Sequence, residues 1–336
     1  MWRTQMSAGY VLDSALGFSL VLLAFLAPRL FRGRGTRRRS FRTAASRIFD
    51  AYHSSATFLA LSLQVASIVV LARTDFGITH NGMGDVTVKL TWTVSVLTIL
   101  PLLYCTFISC LGFSVEEAIE CCQCQEAVER RLTDEAYRRQ TLRHYLFILC
   151  WILSLYPFLS RMIETYGPSK IGNEEDDIIS DADWAIIYDT CHQGVSAISE
   201  AEMQAINASG IISWLLVSLL AIASMIGLGI RRRHPDSKAE AFFIQVSLLP
   251  ARYREGPSRI TLVELMIMVV APSLSALQLW AYFRLQRYQE DLLNKNVSGG
   301  TDLEWGFGQI VALTVFVPVL VEVWYGYRQW YRSCRS

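Results

Sequence analysis

Seven stretches of this chain are almost continuously apolar, and charged or polar stretches separate them. They cover residues 9–28, 52–72, 90–113, 145–163, 210–230, 260–283 and 305–325. A helix rises about 1.5 Å per residue, so each stretch is long enough to cross a hydrocarbon layer of about 30 Å. An open sheet edge cannot satisfy its backbone in lipid, which leaves helices. The pattern predicts an all-α, polytopic bundle of seven transmembrane helices. Residues 1–336 read as a single seven-span membrane domain without internal repeats, and 164–209 as an acidic outer loop.

The basic residues alternate from loop to loop. Arg29, Arg32, Arg34, Arg37, Arg38, Arg39, Arg42 and Arg47 follow the first stretch, and Arg130, Arg131, Arg138, Arg139 and Arg143 follow the third. Arg231, Arg232, Arg233, Lys238, Arg252, Arg254 and Arg259 follow the fifth, and Arg328, Arg332 and Arg335 the seventh. A seven-span layout thus puts 23 of the 31 basic residues on one side. The positive-inside rule then predicts an N-terminus outside or in the lumen and a C-terminus in the cytosol. The arginine run behind the first stretch opposes translocation, and no small-residue cleavage site precedes it, so that stretch reads as a retained helix.

Composition changes this picture little. The net charge of +1 conceals the asymmetry, and 52% of the residues are apolar. The basic residues sit near the ends of spans, where anionic lipid headgroups are the expected partners; a nucleic-acid partner is excluded on that ground. The expected location is a membrane, with plasma membrane and endomembrane undistinguished. The eight cysteines do not form a disulfide framework. Cys105, Cys110 and Cys150 fall in spans, Cys121, Cys122, Cys124 and Cys334 on the cytosolic side, and only Cys191 outside.

The loops carry local signals. Residues 114–144 read as helical extensions of the third and fourth spans, with Thr133, Asp134 and Glu135 as a helix start. In the acidic loop, Ser180 with Asp183 and Ser199 with Glu202 have capping-box spacing; the second predicts a helix running into the fifth span. Asn207-Ala-Ser209 and Asn296-Val-Ser298 are glycosylation sequons on the predicted outer side. Asn207 lies close to a span, and Asn296 in a short polar loop.

Ionisable side chains inside spans are costly and are therefore functional suspects. Glu264 lies one turn into the sixth span and Glu322 in the last turn of the seventh; these are the candidate catalytic acids. Asp50 and His53 before the second span, and Glu117 after the third, form a candidate inner polar cluster with them. A raised carboxyl pKa there would supply a proton or hold a cation. The same acids lie within two turns of helix ends, where pairing with nearby arginines is the alternative role. Asp13, near the outer end of the first span, is expected to reach outer water.

Cys121-Cys122-Gln123-Cys124 is too compact for ordinary zinc spacing. The run Glu174–Asp177 lacks the glycine turn of a calcium loop. No motif implies a metal or a cofactor. Pro101, Pro157, Pro272 and Pro318 fall inside spans, where each removes a backbone donor.

The segment Trp305-Gly-Phe-Gly-Gln-Ile-Val-Ala-Leu-Thr-Val-Phe-Val-Pro-Val-Leu-Val-Glu322 resembles the C-terminal signature of a group of filamentous-fungal multi-pass membrane proteins. Residues 51–72, with Phe58, Gln64 and Ala66-Ser-Ile, are also similar. The resemblance implies a fungal source and the seven-span layout, and it carries over no catalytic residue. Some members of that group sit beside secondary-metabolite genes, which implies by analogy an accessory role in such a pathway. Two alternatives stand beside it. A heptahelical receptor matches the count and orientation, but Leu111-Gly-Phe-Ser-Val-Glu-Glu lacks an acid-Arg-aromatic motif, and the seventh span lacks an NPxxY. An intramembrane enzyme resembling the heptahelical terpene cyclases would use span acids as proton donors on an apolar small molecule; this chain is longer than those enzymes.

Overall fold

The computed structural model describes residues 9–20, 22, 35–75, 84–107, 125–166, 198–233, 238–245, 262–296, 319, 323–324 and 327. Among the described residues there are seven helices and no strand. We label them α1 (9–20), α2 (Gly35–Asp75), α3 (Gly84–Phe107), α4 (Gln125–Tyr166), α5 (Glu200–Arg233), α6 (Lys238–Gln245) and α7 (Leu262–Asn296). Five of them contain stretches long and apolar enough to cross a membrane: Ile48–Ala72, Val86–Tyr104, Thr141–Ile163, Glu200–Arg233 and Val263–Asp291. These coincide with the second to sixth apolar stretches. The first stretch is described over 9–20 and 22, and the seventh only at 319, 323, 324 and 327, so the count of seven spans and their orientation lie beyond the described residues.

Large apolar side chains fill the interior and also cover much of the exterior of the helices. On α5 the buried face reads Ile206, Ser209, Gly210, Ser213, Trp214, Val217, Ser218, Leu220, Ala221, Ser224 and Gly227, seven of them glycine, alanine or serine. The exposed face reads Ile212, Leu215, Leu219, Ile222, Met225 and Ile226. Large apolar groups outside and small or hydroxylated groups inside suit helices bathed in lipid, where close backbone approach and interhelical hydrogen bonds replace the hydrophobic drive to associate. Phe58, Val65 and Val69 on α2, and Leu265, Val269 and Trp280 on α7, continue the apolar exterior.

α3 is the axis of the bundle: 78% of its spanning stretch is buried, against 33% to 50% in the other four. It packs against α2, α4, α5 and α7. Contacts step in opposite directions along neighbouring helices. Gln64 meets Ser95, while one end further on Tyr52 and Tyr104 share the space beside Gly17. Trp151 meets Ser218 and Arg161 meets Asn207, so α4 and α5 are also antiparallel. One end of the bundle therefore collects the N-terminal ends of the spanning parts of α2, α4 and α7 with the C-terminal ends of α3 and α5. The positions Arg143 and Arg231 to Arg233 mark it as the arginine-rich end.

Two local expectations change. α4 starts at Gln125, so Thr133, Asp134 and Glu135 are interior to a helix. The residues around them are mostly strong helix formers, and a cap signal there is overridden by continuous propensity. α7 runs on to Asn296, which makes that asparagine the last residue of a helix; the loop predicted around it begins later. The cap at α5 is as predicted. The Ser199 amide donates to Glu202 Oε2 at 3.1 Å, and the Glu202 amide donates to Ser199 Oγ at 3.2 Å. Pro101, Pro157 and Pro272 all lie inside helices.

Candidate functional site

At the arginine-rich end, Asp50 and His53 lie about one turn apart on α2. Arg143 of α4 donates from Nη2 to Asp50 Oδ1 and places its guanidinium 5.5 Å from the Phe49 ring centroid. Asp50 thereby ties α2 to α4. His53 is buried, with Nε2 3.5 Å from Thr57 Oγ1 and Nδ1 without a hydrogen-bond partner among the described residues. One layer further on, His144 Nδ1 lies 3.3 Å from Ser224 Oγ, and its ring meets Phe107 edge-on at 5.3 Å. Glu264 enters the same end from the first turn of α7 and is fully buried. Glu117 and Glu322 lie outside the described residues. Of the predicted inner cluster, the structure thus brings Asp50 and His53 together around Arg143 and packs Glu264 inward.

The middle of the bundle holds two glutamines. Gln64 Nε2 donates to the Ser95 carbonyl at 2.8 Å, and Ser95 Oγ donates to Gln64 Oε1 at 2.7 Å. Gln278 Nε2 donates to Ser209 Oγ at 3.2 Å and to Ser213 Oγ at 3.4 Å. Between α4 and α5, Trp151 Nε1 donates to Ser218 Oγ at 2.9 Å, and Trp214 stacks on Phe158 at 3.6 Å. These are helix-to-helix locks, each using hydroxyls that the sequence scatters through its spans.

Asp13 does not behave as expected. It is only 2% exposed, so it does not reach outer water. Tyr52 Oη donates to its backbone carbonyl at 3.0 Å, but Asp13 Oδ1 has no hydrogen-bond partner among the described residues. One turn on, Gly17 allows α1 to press against Tyr52 Oη and the Tyr104 ring; a Cβ there would lie 3.1 Å from Tyr104 Cδ2. One turn back, Tyr10 meets Tyr282 of α7 edge-on at 5.2 Å. Tyr52, Tyr104 and Tyr282 thus bring α2, α3 and α7 to one face of α1. A signal for it exists in the sequence. Tyr10, Asp13, Gly17 and Leu20 are spaced three, four and three residues apart, which is one helix face, and all four are buried.

At the opposite end, Arg161 of α4 is also only 2% exposed. It donates from Nη2 to Asn207 Oδ1, and its guanidinium lies 6.0 Å from the Trp92 ring. Gly210 makes room for that indole: a Cβ there would sit 2.5 Å from Trp92 Cη2. The sequon at Asn207 is therefore inside α5, with its carboxamide engaged by Arg161 and Ser209 buried in the bundle. Nearer the rim, Arg284 Nη2 donates to Glu202 Oε2 at 3.1 Å and links α7 to the start of α5.

Among the described residues no group of three or more His, Cys, Asp or Glu is placed to hold a metal. Comparison with family models, with curated proteins and with solved structures found no match to this chain.

Proposed function

We propose that the chain is a multi-pass membrane protein that crosses the bilayer seven times, N-terminus out and C-terminus cytosolic, and serves as an accessory component of a fungal secondary-metabolite pathway. One observation supports the membrane reading above the others. The four long helices around α3 turn large apolar side chains outward, while serines, threonines and glutamines lie among the buried residues. Water would reverse that arrangement and hydrocarbon favours it. Basic loops then lie against anionic headgroups, and the acidic loop 164–209 faces outward. Of the two sequons, Asn296 is the one that carries a glycan, because Asn207 is engaged by Arg161.

Reporter fusions test the topology. A fusion after Ser336 should report cytosol, and one inserted between Glu175 and Asp176 should report the outer side. Both reporters on one side would overturn the seven-span layout. Deleting the gene in its own fungus, followed by profiling of lipid-soluble metabolites, tests the pathway role; an unchanged profile would reject it.

A second reading, an intramembrane enzyme acting as an acid on an apolar small molecule, is favoured by the full burial of Glu264. A transferable proton on Glu264 or Glu322 would be lost in Glu264→Gln or Glu322→Gln. Product should then fall by about 10²-fold, the low end for loss of a general acid. An unchanged yield at normal protein abundance would remove both acids from that role.

A further inference from the structure

We propose that α6 is an interfacial helix that sets Phe242 into the acyl boundary of the bilayer, with anionic phospholipid headgroups as the partners of Arg232, Arg233 and Lys238. The proposal rests on the membrane reading above and adds to it a surface-lying element and the lipid class it selects. α5 passes from Leu228-Gly-Ile230 directly into Arg231, Arg232 and Arg233, which marks the point where that helix leaves hydrocarbon. α6 begins at Lys238 and packs against α5. A short helix tied so closely to a spanning one is held near the headgroup layer. It has only eight residues, too few to be stable in water by propensity, so its ring-bearing face needs cover.

The protein supplies that cover only in part. Phe243 is partly buried and meets Phe242 edge-on at 5.9 Å, while Phe242 itself is 57% exposed. One exposed phenylalanine is ordinary on a protein surface. This one shares its face with Lys238, which is exposed one turn before it. Arg232 and Arg233 are exposed at the last turn of α5. An apolar ring and a lysine on one face suit an interface: the ring leaves water, and the lysine stem lies along it while the ammonium reaches phosphate. Basic side chains at this level are attracted to an anionic surface, and each adds to the attachment that the ring begins.

Amide hydrogen exchange and photocrosslinking of the full chain in symmetric vesicles test this. The vesicles are phosphatidylcholine alone, or phosphatidylcholine with phosphatidylserine, so the side that is cytosolic does not enter. Exchange across 238–245 should be about tenfold slower in the anionic vesicles than in the neutral ones, with α3 unchanged. The double variant Arg232→Gln, Arg233→Gln should lose most of that difference. Phe242→Ser should lose it too, and Phe242→Leu should keep it. All three side chains are exposed, so the bundle should fold in every variant. With benzoylphenylalanine in place of Phe242, irradiation should give phospholipid adducts. Equal exchange in the two vesicles would overturn the proposal, as would a double variant that behaves like the wild type, or adducts confined to other segments of this chain. A chain that alkaline extraction strips from the membrane would overturn the membrane reading together with this helix. An inserted chain whose α6 ignores lipid charge removes the proposal only.

Discussion

At the seam between α2 and α3, Gln64 gives its amide hydrogens to Ser95 and Thr98 and receives the Ser95 hydroxyl. At the junction of α1 with α2, α3 and α7, Asp13 is equally enclosed, yet Oδ1 has no partner among the described residues. Both are polar side chains on apolar helices, and hydropathy alone does not separate them. What separates them is reciprocity. Gln64 has donors and acceptors opposite both of its functional atoms, so it specifies which helices pair and in what register. Asp13 receives close packing from Tyr52 and Tyr104 without a full set of hydrogen bonds.

The comparison can be broken most severely at Gly17. Gly17→Val would force branched carbons into Tyr52 and Tyr104, and overpacking of this sort costs about 3 kcal/mol when neighbours cannot move. Unfolding of purified protein by steric trapping should register a loss of that size. A neutral result would mean that α1 is not seated against those rings. The sharpest contrast is one of sign. Asp13→Leu should raise stability by about 1–2 kcal/mol, since it removes a buried, incompletely satisfied carboxyl and leaves an apolar group of similar size. Gln64→Leu should lower it by about 1 kcal/mol, because hydrogen bonds between membrane helices are modest and Ser95 can turn to its own backbone. If both substitutions destabilise alike, the two seams are not different in kind. The smallest effect lies outside both. Ser199→Ala removes half of the exposed cap of α5 and should cost about 0.5 kcal/mol, visible as a slight fraying of that helix by hydrogen exchange.

Some of this was legible beforehand. The Ser199–Glu202 capping box was readable because its chemistry is local: two residues three apart satisfy each other's amides whatever the rest of the chain does. The helical stretches at 52–72, 145–163 and 210–230 were readable because backbone satisfaction in hydrocarbon leaves one solution. The start placed at Thr133 failed because a cap signal competes with helix propensity on both sides. Arg161 falls near the end of the apolar stretch 145–163, yet it is buried, with Trp92 and Asn207 beside it. Nothing in its neighbourhood along the chain announces that. Asp50 and His53 lie one turn apart on α2, but their shared neighbour Arg143 is 93 residues from Asp50, and the spacing of charges gave it no special standing.

The sequence by itself determined the helical class and the apolar stretches, five of which the structure shows as helices long enough to cross a membrane. Those follow from periodicity and from the cost of an unsatisfied backbone, both of which act within one helix. Only the tertiary structure decided which polar side chain finds a partner. Asp13 and Gln64 differ in what stands opposite them. That is set by the packing of α1, α2 and α7 around α3 and by the close approach that Gly17 allows. A hydrogen bond needs a second atom at about 3 Å in the right direction, and no pattern within one helix specifies where another helix will put it.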